Sequence, residues 1–389
     1  MILKKQAIDF IVTENLTQKY MSLISKTKGS YKIFLLDKIE LDTIYCLRQI
    51  SKENDIPLDK INFCGLKDRH AKTFQYITIP SMYKIDVKRY KLFNIKHIGY
   101  TEEKLRLGLN KSNSFEITVR KLTDIEESDL NRNIKHIPSP RNIYIPNYFD
   151  DQRFSNTGLK KELHFDYIFR WDLNGFVRFH LTNIINKDEK ELRQKKRELE
   201  EIFESKKSKF FSYENVKGSL NLQKIYDFYN RKKDFFFILK TINNEDIDMW
   251  YSAFLSFYFN FALANYIEKN YSKIKISDYY LGNLNYVYND KIRKQDIDKQ
   301  IPFITNERFP TDFYDGIDFP YSRNNIKSIL KKLRIKENLS LRNIFIRVEN
   351  FEYTIEKDDM YDGYNKVIFK FNLPSGSYAT NFVKYLFLK

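Results

Sequence analysis

The first 120 residues alternate short apolar runs with polar turns, which is typical of a β-rich domain. Five segments cluster or alternate apolar residues as strands do. These predicted strands are residues 9–14, 32–36, 61–64, 73–79 and 115–119. Residues 41–51 instead place apolar side chains at helical spacing, so one helix is predicted between the second and third strands.

The middle of the chain, from Leu159 to about Phe261, has mainly helical patterns. Residues 187–207 predict a solvated amphipathic helix because charged residues dominate there. Residues 249–267 contain no charge and are nearly long enough to cross a bilayer. However, Ser252, Ser256 and Asn260 recur every four residues and form a polar stripe. That stripe favours a buried helix of a globular domain over a membrane span.

Strand character returns near the C-terminus, at residues 344–347 and 367–371, after a basic stretch of little periodicity at 283–336. Strands at both ends and helices between them predict an α+β fold. We expect a mixed-sheet catalytic domain of residues 1–154 and 341–389, interrupted by an inserted α/β domain of residues 155–340.

Composition adds a candidate partner and removes several chemistries. Lys and Arg number 67 against 51 Asp and Glu, a formal charge of +16, which favours a polyanionic partner such as RNA. An AT-rich genome would produce a similar bias unaided. The two cysteines and the scattered histidines predict neither a disulfide framework nor a metal site. Phosphate-binding, serine hydrolase, zinc protease and dinucleotide motifs are absent from the sequence. The N-terminal residues lack an apolar signal core, so a cytoplasmic protein is expected.

One segment concentrates reactive groups on a predicted tight loop. Gly65, which can adopt a positive φ, follows a strand and precedes Lys67, Asp68, Arg69 and His70. Nearby cations favour the ionised form of the single carboxylate, and such a carboxylate could attack an RNA nucleotide. On spacing alone, a charged hairpin turn is the simpler interpretation.

The same segment resembles the signature of the TruD family of tRNA pseudouridine synthases. The matching residues are Gly65, Lys67, Asp68, Arg69, Ala71, Thr73 and Gln75. Further resemblances follow in family order: Lys4 with 9–14, 113–120, 146–155 and 373–380. They span most of the chain, although the inserted region is matched loosely. Ser112, Asp150 and Ser155 stand where the family usually has glycine, which puts local loop geometry in doubt.

The resemblance implies a role for each matched side chain. Asp68 would be the catalytic aspartate, and Lys4 would pair with it and stabilise its anionic form. Phe115 would stack on the uracil, Asn113 would read a base edge or fix the loop, and Phe10 would line the pocket. Beside this site, the cationic side chains of Lys67 and Arg69 would contact RNA phosphates. Without the resemblance, both phenylalanines would be interpreted as core residues and Lys67 as a solvated side chain.

The resemblance also implies what the protein acts on. The substrate would be tRNA, with uridine 13 the leading target, and the reaction would need neither cofactor nor metal because it is redox-neutral. A monomer that binds RNA in a salt-dependent manner and does not associate with membranes is expected. The sequence leaves open whether the aspartate adds to C6 of the base or assists loss of the base from C1′. Two alternatives also stay open: an RNA-binding protein or tRNA chaperone with secondary or lost catalysis, and a metal-dependent RNA hydrolase.

Overall fold

The computed structural model describes residues 1–86, 90–137, 139, 143–186, 188–205, 223–227, 231, 234–272, 274–279, 281–304, 311–314, 323–336 and 340–388. The strands are β1 Ile2–Leu3, β2 Phe10–Leu16, β3 Tyr31–Ile39, β4 Asn62–Phe63, β5 Lys72–Pro80, β6 Phe93–Thr101, β7 Asn110–Leu122, β8 Ile143–Pro146, β9 Ile274–Tyr279, β10 Gly282–Val287, β11 Gln300–Pro302, β12 Leu341–Asn343, β13 Phe345–Lys357 and β14 Asn365–Pro374. The α-helices are Gln18–Met21, Thr43–Glu53, Asp124–Lys135, His164–Arg170, Leu173–Thr182, Lys190–Glu204, Phe235–Leu239, Asn244–Asn270, Thr311–Tyr314, Arg323–Leu333 and Ala379–Leu386.

The chain divides into two compact units. The first comprises Met1–Ile145, Tyr288–Ile292 and Phe345–Lys389, and the second comprises Pro146–Val287 and Arg293–Ile344. Residues 146–154 and 341–344, which the sequence analysis assigns to the catalytic domain, belong to the second unit by this division. The assignment of a catalytic and an inserted domain stays a prediction.

The first unit contains a ten-stranded sheet. The strand order is β6-β3-β5-β2-β7-β14-β13-β8, with β1 paired to β7 and β4 paired to β5. β2 and β5 run parallel, whereas β7 is antiparallel to both β2 and β14. This mixed sheet confirms the predicted fold class. Strands from the two ends of the chain therefore meet at β7.

Strand register places three of the predicted site residues, Phe10, Asn113 and Phe115, on one face of this sheet. Phe10 lies opposite Ile117, and Glu14 lies opposite Asn113. Phe115 lies opposite Phe371 on the other side of β7. Directly paired residues point to the same face, so the alternation of β2 and β7 brings these side chains together.

The second unit is built around the 27-residue helix Asn244–Asn270. Ser256 and Asn260 of the predicted polar stripe are buried in it. The Asn260 Nδ2 donates to the Phe149 carbonyl, and the Phe149 amide donates to Asn260 Oδ1, both at 2.8 Å. Of the helices that the structure describes, none has the length and apolar character required to span a bilayer.

Several observed elements differ from those that the sequence patterns predict. The predicted helix at 187–207 spans Lys190–Glu204, and part of the predicted helical region, residues 206–222, lies outside the described residues. The stretch at 283–336, whose sequence has little periodicity, includes most of β10 and helix Arg323–Leu333 in its described parts. β6 was missed because polar residues interrupt its alternation.

Candidate active site

Asp68 lies in a loop between β4 and β5. Three hydrogen bonds that involve the side chains of Thr43 and Gln75 fix this loop. The Gln75 side chain donates to the Gly65 carbonyl at 3.3 Å and accepts a hydrogen bond from the Thr43 hydroxyl at 2.9 Å. The amide of Lys67 in turn donates to the Thr43 hydroxyl oxygen at 3.2 Å. Because Thr43 and Gln75 are fully buried, these bonds tie the loop to helix Thr43–Glu53 and to β5.

A buried lysine lies beneath the same loop. Lys38 of β3 is 1% exposed, and its ammonium donates to the main-chain carbonyls of Asp68 at 2.9 Å and Leu41 at 2.8 Å. Burial lowers the pKa of Lys38, while the charge of Asp68 is among the influences that oppose the shift. Lys38 therefore fixes the backbone of Asp68 and places a positive charge beside it.

Lys67 is directed into the protein by an ion pair with Glu14. Its ammonium lies 2.8 Å from Glu14 Oε1, and the two side chains are 8% and 0% exposed. The second carboxylate oxygen of Glu14 accepts the amide of Tyr76 at 2.9 Å. One buried carboxylate thus connects β2, β5 and the residue immediately before Asp68. This arrangement leaves little of the Lys67 ammonium exposed to a phosphate.

Asp68 itself is partly exposed and paired with Lys4. The distance from Lys4 Nζ to Asp68 Oδ2 is 3.0 Å, with 26% and 27% of the two side chains exposed. Lys4 has a φ of 56°, a region that a long side chain occupies only at a cost. The same ammonium lies 3.8 Å from the centroid of the Phe10 ring. Lys4 therefore links the carboxylate to the aromatic side chains of the sheet.

Three phenylalanines continue from Lys4 across the sheet face. Phe10 meets Phe115 edge-on at a centroid distance of 6.1 Å, and Phe115 stacks on Phe371 at 5.5 Å with 25° between the ring planes. Phe10 and Phe115 are 3% and 8% exposed. Asn113, two residues before Phe115 on the same face, accepts a hydrogen bond from the Asn110 side chain at 3.1 Å.

A second ion-pair network holds the turn that precedes Phe10. The buried guanidinium of Arg120 donates from Nε to both oxygens of Asp9, at 2.9 and 3.1 Å. It also donates from Nη1 to Asp358 at 3.1 Å and Asp359 at 2.8 Å. These carboxylates raise the pKa of Arg120, so the guanidinium stays charged. The network anchors the segment between Lys4 and Phe10 to β7.

Gly65 does not use its ability to adopt a positive φ. Gly65 adopts no left-handed conformation, and an added Cβ would meet nothing within 4 Å. Ser112, Asp150 and Ser155 also lack a positive φ, so their side chains cause no backbone strain. Within the described residues, no group of three or more His, Cys, Asp or Glu side chains could hold a metal ion.

The structure thus brings Asp68, Lys4, Phe10 and Phe115 into one continuous series of contacts, with Asn113 on the same sheet face. Sequence reasoning missed the contributions of Lys38, Glu14 and Phe371. Lys38 gave no usable signal because a single lysine in an apolar run usually marks a solvent-facing position. Glu14 was noted only for its position in the opening strand, and its buried contacts with Lys67 and Tyr76 are visible in the structure alone.

The chain is similar to known proteins over nearly its whole length. A family model described as tRNA pseudouridine synthase D (TruD) matches residues 1–386. The chain is 28% identical to tRNA pseudouridine synthase D of Leptospira interrogans, covering 100% of this chain and 96% of that protein. It is 27% identical to tRNA pseudouridine synthase D of Aquifex aeolicus over 93% of both chains.

A solved structure shares the fold. A TruD protein from Methanosarcina mazei superposes with a TM-score of 0.65 at 18% identity, covering 99% of this chain and 93% of that chain. The family match over nearly every residue, together with this shared fold, establishes that the chain belongs to the TruD family of tRNA pseudouridine synthases.

Proposed function

We propose that this protein isomerises uridine to pseudouridine in tRNA, with Asp68 as the catalytic carboxylate. The observation that carries the proposal is the ion pair between Asp68 and Lys4, in which each side chain remains about one quarter exposed. A carboxylate that is held by a cation and still open to solvent can meet a nucleotide directly. Lys38 and the bonds through Thr43 and Gln75 fix its position before substrate arrives.

The reaction uses the carboxylate without any external donor. The bond from C1′ to N1 of the uracil breaks, the base turns, and C5 bonds to C1′ while the C5 proton passes to solvent and N1 takes up a proton from solvent. Asp68 would add either to C6 of the base or to C1′ of the ribose, and it leaves unchanged when the new bond has formed. No electrons are gained or lost, so the atoms of the uridine and one aspartate suffice.

The aromatic residues would receive the base once it has left its stack. One face of Phe115 is occupied by Phe371, so the uracil would stack on the opposite face. Because Phe115 is 8% exposed, neighbouring side chains must move to admit a base. Phe10 would form the wall beside it, and Asn113 offers both a donor and an acceptor to the uracil edge. The family resemblance favours uridine 13 as the target.

We further propose that Lys67 is a positioning residue and not the phosphate contact that the sequence suggested. Its ammonium pairs with the fully buried carboxylate of Glu14 at 2.8 Å. Releasing it to reach RNA would leave that carboxylate buried and uncompensated, which costs several kcal/mol. Phosphate contacts are better assigned to exposed neighbours such as Arg69.

The test is tritium release from an unmodified tRNA transcript labelled at C5 of uridine, in the presence of a strong chelator. The native protein is expected to release tritium, and Asp68→Asn is expected to be at least about 10³-fold slower because it lacks the reacting carboxylate. Asp59→Asn, an exposed aspartate on the preceding turn, serves as the matched control and should keep native activity.

Other outcomes would point elsewhere. Release by Asp68→Asn at the native rate would overturn the assignment of the carboxylate. An RNA chaperone would retain its activity in Asp68→Asn, and a metal-dependent hydrolase would lose activity in the chelator. A transcript with cytidine in place of uridine 13 should release no tritium if that position is the target.

A further inference from the structure

A solvent-facing tryptophan marks a second candidate site, in the second unit. Trp171 is 41% exposed and ends helix His164–Arg170 with a φ of 58° and a ψ of 32°. A bulky residue rarely adopts this left-handed conformation. Its amide donates to the Ile168 carbonyl at 3.2 Å, and its ring packs against Phe235 and Phe236 at centroid distances of 5.1 and 4.6 Å, so part of the indole remains open to solvent.

Trp171 borders a cavity of a size that accepts part of a ligand. The cavity has a volume of about 310 Å³ and is lined by Trp171, Ser328, Ile329 and Lys332. Ser328 and Lys332 lie one turn apart on helix Arg323–Leu333. The lining thus combines an aromatic face, a hydroxyl and a cation.

A lysine lies over the aromatic rings at this cavity. The Lys332 ammonium lies 4.6 Å from the Phe236 ring centroid and 5.9 Å from the Trp171 ring centroid. The neighbouring Asp172 carboxylate accepts the Gly175 amide at 2.8 Å as a helix cap, so this acidic group is already engaged.

We propose that this surface, defined by Trp171, Phe236, Ser328 and Lys332, binds a single-stranded segment of the tRNA by stacking a base on the indole. Aromatic faces interleaved with cations are how proteins hold unpaired RNA: the rings take bases and the cations neutralise phosphates. A duplex keeps its bases stacked on one another and offers no free base face to Trp171. The proposal rests on the proposed function, since tRNA is the ligand in both.

The chain allows a direct readout of stacking. It has two tryptophans, and the other, Trp250, is 6% exposed. Titrating an unmodified tRNA transcript into the full-length protein should quench the Trp171 emission as a base stacks on the indole. Trp171→Phe should lose this quenching while keeping nearly native affinity, because phenylalanine still offers a stacking face.

Affinity measurements separate stacking from charge. Trp171→Ala should bind tRNA about 5- to 100-fold more weakly. Lys332→Gln should reduce the slope of log affinity against log salt by about one. Phe261→Ala is the matched control, because Phe261 is a 40% exposed aromatic of the same unit and should leave affinity unchanged. A short oligouridylate should compete for the quenching, and a loopless RNA duplex should not.

Native affinity of a folded Trp171→Ala variant, or unchanged Trp171 emission at saturating tRNA, would overturn the inference. Competition by the duplex but not by the oligouridylate would also overturn it. Failure of the proposed function is recognised separately, by tritium release. Trp171→Ala should reach the native rate at saturating tRNA and differ in KM alone, whereas Asp68→Asn should still quench and not react.

Discussion

At the scale of single residues, the position of Asp68 depends on charges that never face solvent. The Lys38 ammonium donates to the main-chain carbonyl of Asp68. The preceding residue, Lys67, is fixed by its ion pair with the buried carboxylate of Glu14. Buried charges are expensive unless each has partners of good geometry. Their presence beneath a partly exposed carboxylate is consistent with a site whose geometry matters more than its contribution to stability.

The role of Lys67 can be separated from a phosphate contact. Lys67→Met should destabilise the protein by about 3 kcal/mol, because it strands the Glu14 carboxylate in the interior. Glu14→Gln combined with Lys67→Met removes that charge and should recover most of the stability, while tritium release stays low since the loop has lost its anchor. Denaturant unfolding and tritium release measure the two effects.

A phosphate contact would behave differently. Lys67→Met would then weaken tRNA binding and reduce its salt dependence with little change in unfolding free energy. Arg69→Gln, an exposed neighbour, is the control and should show that pattern.

The same residues show how far the sequence could predict the site. The positions of Asp68, Lys4, Phe10 and Phe115 followed from a family resemblance, and the structure brings them together. The direction in which the Lys67 side chain points did not follow, because the sequence is the same whether the lysine beside Asp68 faces RNA or a buried glutamate. The orientation of Lys67 depends on the fold, in which β2 pairs with β5 and Glu14 of β2 lies next to the Lys67 ammonium.

At the scale of elements, the side-chain amide of Asn260 connects helix Asn244–Asn270 to the main chain of Phe149, near the start of the second unit. Asn260 satisfies both the N–H and the C=O of Phe149 and is fully buried. Asn260→Ala would remove both of these buried hydrogen bonds, and removing the partner of a buried main-chain group costs about 1–3 kcal/mol. We expect about 3 kcal/mol of destabilisation in denaturant unfolding. Lys269→Ala, exposed on the same helix, should change the free energy of unfolding by less than about 0.5 kcal/mol.

Patterning identified elements that bury a clear face and missed those that do not. The helix at 43–53 and the strands at 10–16 and 72–80 have regular apolar positions and were predicted close to their observed bounds. Half of the residues of helix Asp124–Lys135 are charged and the helix was missed, although Thr123 and Glu126 form a capping box that marks its start. The capping signal was therefore present in the sequence when the hydrophobic signal was weak.

At the scale of the whole molecule, two neutral histidines in the second unit should make stability depend on pH. His180 Nδ1 lies 3.4 Å from His164 Nε2, and His164 stacks on Trp250. Burial lowers the pKa of His180 from 6.5 to about 4, and it lowers the pKa of His164 well below its usual range. The nearby charge of Lys196 acts in the same direction.

The sign of the effect follows from proton counts. Between pH 6.5 and about 4 the unfolded chain binds protons at these positions that the folded protein does not, so stability decreases as pH falls through this window. Thermal unfolding should show a lower Tm at about pH 5 than at about pH 7.5. His180→Gln should reduce that difference, whereas His136→Gln, with a 42% exposed side chain in the first unit, should not. An equal difference in all three proteins would contradict this account.

The position of β14 has a consequence for the order in which the protein matures. A ribosome makes β7 long before β14, and the residues of the second unit emerge between them. During that interval one edge of β7 has no strand to pair with, and Phe115 lacks the ring of Phe371. We therefore expect a chain that ends before β14 to lack the Phe371 side of the aromatic face proposed for the base, and to release no tritium from tRNA.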